Sequence, residues 1–167
     1  GTGHAVMQAE GVAGAFPGDV LILCGDAPLV TEETLAALVQ KHQKDGLSCT
    51  VLSALLKDPT GYGRIIRNQH GKLQKIVEEK DAAVYEKAVE EVNSGAYCFK
   101  APELFSHLKL LERNNTQKEY YLTDVVEMLS AKKSPVDSFI AADPDEILGV
   151  NTRRDLSVIE RSEEHTS

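Results

Sequence analysis

Asp26 follows the apolar run Val20 to Leu23 through a Cys24-Gly25 turn. A short continuous apolar run that ends at such a turn reads as a strand buried on both faces. In open α/β sheets the ligand crevice borders the carboxyl ends of the strands, so a carboxylate delivered there can hold a hard cation. The alternative is a residue that caps the turn before Thr31. Glu78 directly follows the apolar pair Ile76-Val77, which aims it at a cleft, yet it also opens the charged run Glu78-Glu79-Lys80-Asp81 that reads equally as a solvated face. Asn93 and Ser94 stand inside the strand-like run Val92 to Phe99. A buried amide there must find partners in local backbone or in the hydroxyls of a ligand. Gly1-Thr2-Gly3 leads into helix-forming residues and offers N–H groups to an anion or a base edge. Asp58 to Arg64, DPTGYGR, is a loop whose glycines let main chain approach a ligand. No Gly-Lys-Ser/Thr follows it, which excludes a phosphate loop of the Walker type.

These residues need a scaffold, and the patterning predicts an α/β one. Helix-forming residues run to about Ala13 and are followed by the strand Val20 to Leu23. Thr31 is a credible N-cap with Glu32 and Glu33 in the favourable first turn, and Leu35, Leu38 and Val39 form one stripe of a helix ending near Asp45-Gly46. Ser48 to Leu56 is the next strand, and this helix-strand alternation is a parallel-sheet signature. Arg64 to Arg67 and Lys72 to Val77 read as a hairpin about Asn68 to Gly71. Asp81 to Glu91 is expected to be helical. Helices from Pro102 and from Tyr121 follow, then a short strand Ser138 to Ala141. Asp143 with Pro144 caps a last short turn before Asn151, which opens a final helix and suits an N-cap as well as a ligand.

Composition excludes several functions. With 18 Lys+Arg against 26 Asp+Glu the formal charge is -8, which argues against a surface for nucleic acid. Cys24, Cys49 and Cys98 are far apart and each lies in an apolar run, the pattern of buried reduced thiols rather than bridges or zinc ligands. Together with the absence of any apolar run of membrane-spanning length or of a leader at Gly1, this places the expected compartment in the cytoplasm, with no membrane partner.

Seven segments in one order, GTGHAV, CGDAPLV, DPTGYGRIIR, IVEEKDA, EVNSGAYCF, KEYYLTDVVE and GVNTR, resemble the uridyltransferase domain of the bacterial bifunctional N-acetylglucosamine-1-phosphate uridyltransferase/glucosamine-1-phosphate acetyltransferase family. The similarity runs from Gly1 to about Glu160. It implies a Rossmann-like nucleotide-diphospho-sugar transferase fold with a mixed, mainly parallel sheet, making UDP-N-acetylglucosamine and pyrophosphate from UTP and N-acetylglucosamine 1-phosphate.

Carried over by position, the resemblance implies that Gly1 and Thr2 meet the uracil and that Cys24, Gly25 and Asp26 line the nucleotide pocket. It implies that Asp26 and Asn151 hold Mg²⁺, with Asn151 also near the substrate, and that Gly63, Glu78 and Asn93 contact the sugar. It further implies that an opening strand and a Gly-rich, Lys/Arg-bearing nucleotide loop precede Gly1 and that a C-terminal β-helix, which carries the trimer contacts, follows. Residues 1–160 would then be a partial domain, unable to turn over alone. Arg161 to Ser167 departs from the family pattern and is expected to be a non-native tail.

Overall fold

The longest strand, β5 (Glu91–Lys100), is the spine on which the other strands hang. The computed structural model describes residues 1–24 and 29–148. Along one edge of β5 lies β2 (Cys49–Leu55), antiparallel, and β2 in turn pairs with β6 (Val136–Ile140) in parallel. The other edge is shared: β1 (Asp19–Leu23) pairs with residues 96–100, while β3 (Arg64–Arg67) meets Val92. β4 (Leu73–Val77) closes a hairpin with β3. The sheet is therefore mixed. β1, β2, β3 and β6 run one way and β4 and β5 the other, and β2–β6 is the one parallel hydrogen-bonded pair among the described strands. The strand-helix-strand unit predicted in the first third is present, but β5 lies between β1 and β2.

Six α-helices accompany the sheet among the described residues: α1 (Thr2–Met7), α2 (Glu10–Ala13), α3 (Glu32–Lys44), α4 (Val84–Lys87), α5 (Ala101–Leu108) and α6 (Thr123–Ala131). Thr31 caps α3 by accepting the Thr34 N–H at 3.2 Å, and Gly46 ends the helix region at φ +61, both as the residue types predict. Alternation along β2 and β5 splits the core between the two faces. Val51, Tyr97 and Phe99 pack with Leu104, Leu108, Val125 and Leu129 of α5 and α6, whereas Leu52, Ala96 and Cys98 pack with Leu38 of α3 and with Ile147. None of the three cysteines is in a disulfide, and Cys49 and Cys98 are fully buried. His42, 1% exposed, ties α3 to the sheet through Thr50 Oγ1 at 2.8 Å and Asp19 Oδ1 at 3.2 Å.

Two expectations are corrected. Residues 81–91 are not one helix: only α4 forms, because Val84 and Tyr85 are 89% and 77% exposed and give the segment no apolar face to bury. Glu86 instead turns back to accept the Ala83 N–H at 2.9 Å and to pair with Lys75 at 3.2 Å. Nor is β1 buried on both faces. Leu21 and Leu23 are 41% and 52% exposed, because β5 is the only described strand beside it.

The pairing of β2 with β5 carries one irregularity. Val51 pairs with Tyr97 but Ser53 with Asn93, so Ser94 to Ala96 bulge out opposite Leu52. Gly95 at φ +84 makes this turn in the strand, a conformation that favours glycine.

Candidate functional site

Residues that lie far apart in the sequence meet beside the bulge in β5. The Asn93 N–H donates to Gly63 O at 2.9 Å, which seats the Gly63 loop against the strand. A Cβ placed on Gly63 would lie 3.3 Å from Glu78 Oε2 and 3.6 Å from the Asn93 Cβ. Gly63, Glu78 and Asn93 thus form one cluster, and the missing side chain at position 63 keeps its centre open. On the other side of the bulge the Cys24 N–H donates to Gly95 O at 3.0 Å, and a Cβ on Gly95 would meet Cys24 Sγ at 3.1 Å.

Arg64 sets the rim. It is 1% exposed, pairs with Glu79 at 2.6 Å and donates to Tyr62 O and, at 3.2 Å, to Lys87 O. Arg64 follows Gly63 and Glu79 follows Glu78, so this ion pair ties together the two segments that bring the glycine and the carboxylate to the cluster.

Glu78 is a half-buried carboxylate with sparse support. Its Oε1 accepts from Thr123 Oγ1 at 3.2 Å. Burial lifts its pKa above the ordinary carboxylate value, the Thr123 hydrogen bond opposes the shift, and the charges of Asp81 and Asp124 reinforce it. Asp124 is itself raised to about 6, by burial first and then by Glu127 and Asp81. A carboxylate so placed is ready to accept from hydroxyls that a ligand brings.

Thr123, the hydrogen-bond donor to Glu78, is not singled out by the sequence. It is 2% exposed, in the first turn of α6, and it links this cluster to the start of the chain. Leu122 N donates to Thr2 Oγ1 at 3.0 Å, and Gly3 N donates to Tyr120 O at 2.8 Å. A Cβ on Gly1 would strike Tyr120 O at 2.7 Å. Gly1 and Thr2, expected at the base, therefore pack on the same segment that carries Thr123 to Glu78. The signal for Thr123 is the hydroxyl inside the run KEYYLTDVVE.

Gly25, Asp26 and Asn151 lie outside the described residues, as do the expected final helix and the tail 161–167. The chain that flanks two of them is nonetheless held at a common anchor. Glu146, 9% exposed, accepts the Thr31 N–H at 2.9 Å and the Thr34 hydroxyl at 2.8 Å, joining the helix that follows Asp26 to the turn that precedes Asn151. Among the described residues no group of His, Cys, Asp and Glu is arranged to hold a metal ion, and no described helix is long and apolar enough to cross a membrane. A separate open cleft of about 650 Å³, lined by Asp81, Arg113, Asn114, Asn115, Thr116 and Lys118, contains none of the predicted site residues.

The mixed sheet with helices on both faces is a nucleotidyltransferase fold, which solved sugar-phosphate nucleotidyltransferases share. The chain superposes on UDP-glucose pyrophosphorylase complexed with UDP-glucose with a TM-score of 0.67 at 14% identity, covering 98% of this chain and 62% of that one. The apo form of UDP-glucose pyrophosphorylase gives 0.66 at 14% identity, covering 99% and 61%. The chain belongs to the nucleotidyl transferase family, whose pattern matches residues 1–145. It is 48% identical over 161 residues to the bifunctional protein GlmU of Halalkalibacterium halodurans, and 48% identical over 160 residues to the bifunctional protein GlmU of Bacillus thuringiensis. Each alignment covers 96% of this chain and 35% of the relative, so the chain spans about a third of the length of the curated relatives it matches.

Proposed function

We propose that these residues form part of a uridylyltransferase that joins UTP to N-acetylglucosamine 1-phosphate, giving UDP-N-acetylglucosamine and pyrophosphate for cell-envelope synthesis. The observation that carries the reading is the convergence of Gly63, Glu78 and Asn93 on one bulged strand, with Glu78 short of partners. The 48% identity to GlmU supports the choice among sugar substrates.

The chemistry suits these residue types. The attacking sugar phosphate is already an anion, so no general base is required, and positioning carries the rate. Glu78 accepts from sugar hydroxyls, Asn93 reads them with its amide, and Gly63 admits the ring where any Cβ would crowd Glu78. Thr2 retains its own O–H for a base edge while its oxygen accepts from Leu122. Cys24 and Gly25 line the nucleotide side. Asp26 and Asn151 would hold Mg²⁺, a carboxylate and an amide oxygen being the hard donors that ion takes, and the bound ion would offset phosphate charge. The same reading places the protein in the cytoplasm, with a homotrimer formed through a C-terminal β-helix and without nucleic acid or membrane as partner.

A sugar-1-phosphate nucleotidyltransferase of other substrate choice shares the frame, and a binding module without turnover is the third reading. An exchange assay with radiolabelled pyrophosphate, run on the complete gene product across nucleoside triphosphates and sugar phosphates, separates them. UTP with N-acetylglucosamine 1-phosphate is expected to dominate. Preference for glucose 1-phosphate or another nucleotide would overturn the assignment, and binding without exchange would support the module.

A further inference from the structure

The Asn93 amide is held in a single orientation. Its Oδ1 accepts the Gly95 N–H at 3.0 Å and its Nδ2 donates to Tyr97 Oη at 2.6 Å. A main-chain N–H can only donate, so the Gly95 contact identifies the oxygen and leaves the nitrogen facing the phenol. In a regular strand, residues four apart stand about 13 Å from each other. The bulge at Ser94 to Ala96 brings these two side chains into contact instead.

Tyr97 is 3% exposed and packs on Phe99 with ring centroids 5.8 Å apart, so its hydroxyl is a fixed point. Burial pushes the phenol far above its ordinary pKa against the pull of Asn93, and the neighbouring Cys24 and Glu78 add to the shift, so the hydroxyl stays neutral. With each end of the amide engaged once, Asn93 keeps one Nδ2–H and one Oδ1 lone pair.

We propose that Tyr97 is a positioning residue, whose hydroxyl locks the Asn93 amide so that its remaining N–H and lone pair meet an acceptor and a donor on adjacent positions of the sugar ring. The proposal rests on the reading of Asn93 as a sugar contact. It assigns the selection of ring substituents to a buried residue that never touches the ligand: without the phenol, the amide loses the partner that holds its nitrogen.

Tyr97→Phe removes the hydroxyl and keeps the ring packing. In the full chain, titrated with N-acetylglucosamine 1-phosphate and separately with UTP, this variant is expected to weaken sugar-phosphate binding about tenfold, the equivalent of one lost hydrogen bond of ordinary strength, and to leave UTP unaffected. The Asn93 side-chain NH₂ resonances, assigned by their loss in Asn93→Ala, should move and narrow their separation. Tyr97→Leu should cost more stability through lost packing but give the same loss of binding. Unchanged Asn93 resonances in Tyr97→Phe, or a loss confined to UTP, would overturn the role of Tyr97. If Asn93→Ala binds the sugar phosphate as well as the parent, the sugar-contact reading fails, and the resonance shift alone still decides whether Tyr97 orients the amide.

Discussion

Glu91 and Glu78 are carboxylates of one sheet with opposite surroundings. Glu91, 9% exposed, accepts from Ser53 Oγ at 2.7 Å, from Ser138 Oγ at 2.7 Å, and from Arg67 through Nε at 3.0 Å and Nη2 at 2.8 Å. Arg67 also lies 3.8 Å from Asp137, which Lys41 meets at 3.1 Å. The result is a closed polar ladder across β3, β5, β2 and β6. Glu78 accepts one side-chain hydrogen bond, from Thr123, and no cation pairs with it among the described residues. The difference suits Glu91 to holding the sheet together and Glu78 to the proposed sugar contact. A saturated buried carboxylate has nothing left to offer a ligand, whereas an undersupplied one costs the free protein stability that a ligand's hydroxyls can restore.

The largest expected effect falls on the saturated side. Glu91→Ala removes the carboxylate that Arg67 and two serine hydroxyls share and should cost roughly 3 kcal/mol. Urea unfolding measures this, and sugar-phosphate affinity measured well below the transition should stay within about twofold. A loss of affinity at retained fold would show that the ladder belongs to the site.

Next is the hinge between the two regions. Gly95→Ala forces an L side chain into φ +84 and sets a Cβ 3.0 Å from that of Cys24. A cost of about 1–3 kcal/mol is expected, together with lost sugar-phosphate binding because Asn93 and Tyr97 no longer meet. Retained binding would mean that the bulge does not position Asn93.

Glu78→Gln should act in the opposite direction on stability. Its folded pKa is raised, so the folded state binds the proton more tightly than the unfolded chain does. The stabilisation this provides is present at low pH and is lost as pH rises through the folded value. The glutamine variant escapes that loss and should be the more stable protein above neutrality while binding sugar phosphate more weakly. Thermal midpoints across pH 5 to 8 give the test, and a variant less stable at every pH would place Glu78 with Glu91 as a structural group.

The smallest effect is that of Asp124, raised to about 6. By the same sign, Asp124→Asn should gain relative stability as pH rises through about 6, with no gain below about 4 where both states are protonated. Metal-free binding of the anionic sugar phosphate by the parent should also weaken over the same interval as negative charge accumulates beside Glu78. A flat profile from pH 5 to 7 would remove Asp124 from the site's electrostatics.

Local chemistry made much of this legible. The Thr31 cap, the Asn68 to Gly71 hairpin and the Asp143-Pro144 turn are decided by near neighbours, and they stand where residue type puts them. What escaped is decided at long range. The exposure of Leu21 and Leu23 depends on which strands flank β1, the single turn of α4 on what Val84 and Tyr85 fail to bury, and the bulge on pairing between β2 and β5. Gly63, Glu78 and Asn93 stand out by residue type and local pattern, and only the order of motifs points all three at one ligand. Thr123 and Tyr97 do not stand out, because a threonine in an amphipathic helix and a tyrosine in a strand look like core.

The most direct test is a titration of the isotopically labelled chain with N-acetylglucosamine 1-phosphate, followed by ¹H–¹⁵N spectra. The main-chain amides of Gly63, Gly95 and Thr123 and the side-chain amide of Asn93 are expected to move together with one dissociation constant, while Arg67, Glu91 and Ser138 stay still. Shifts centred on the Glu91 ladder, or on the Arg113 to Lys118 cleft with Asn93 unmoved, would contradict it.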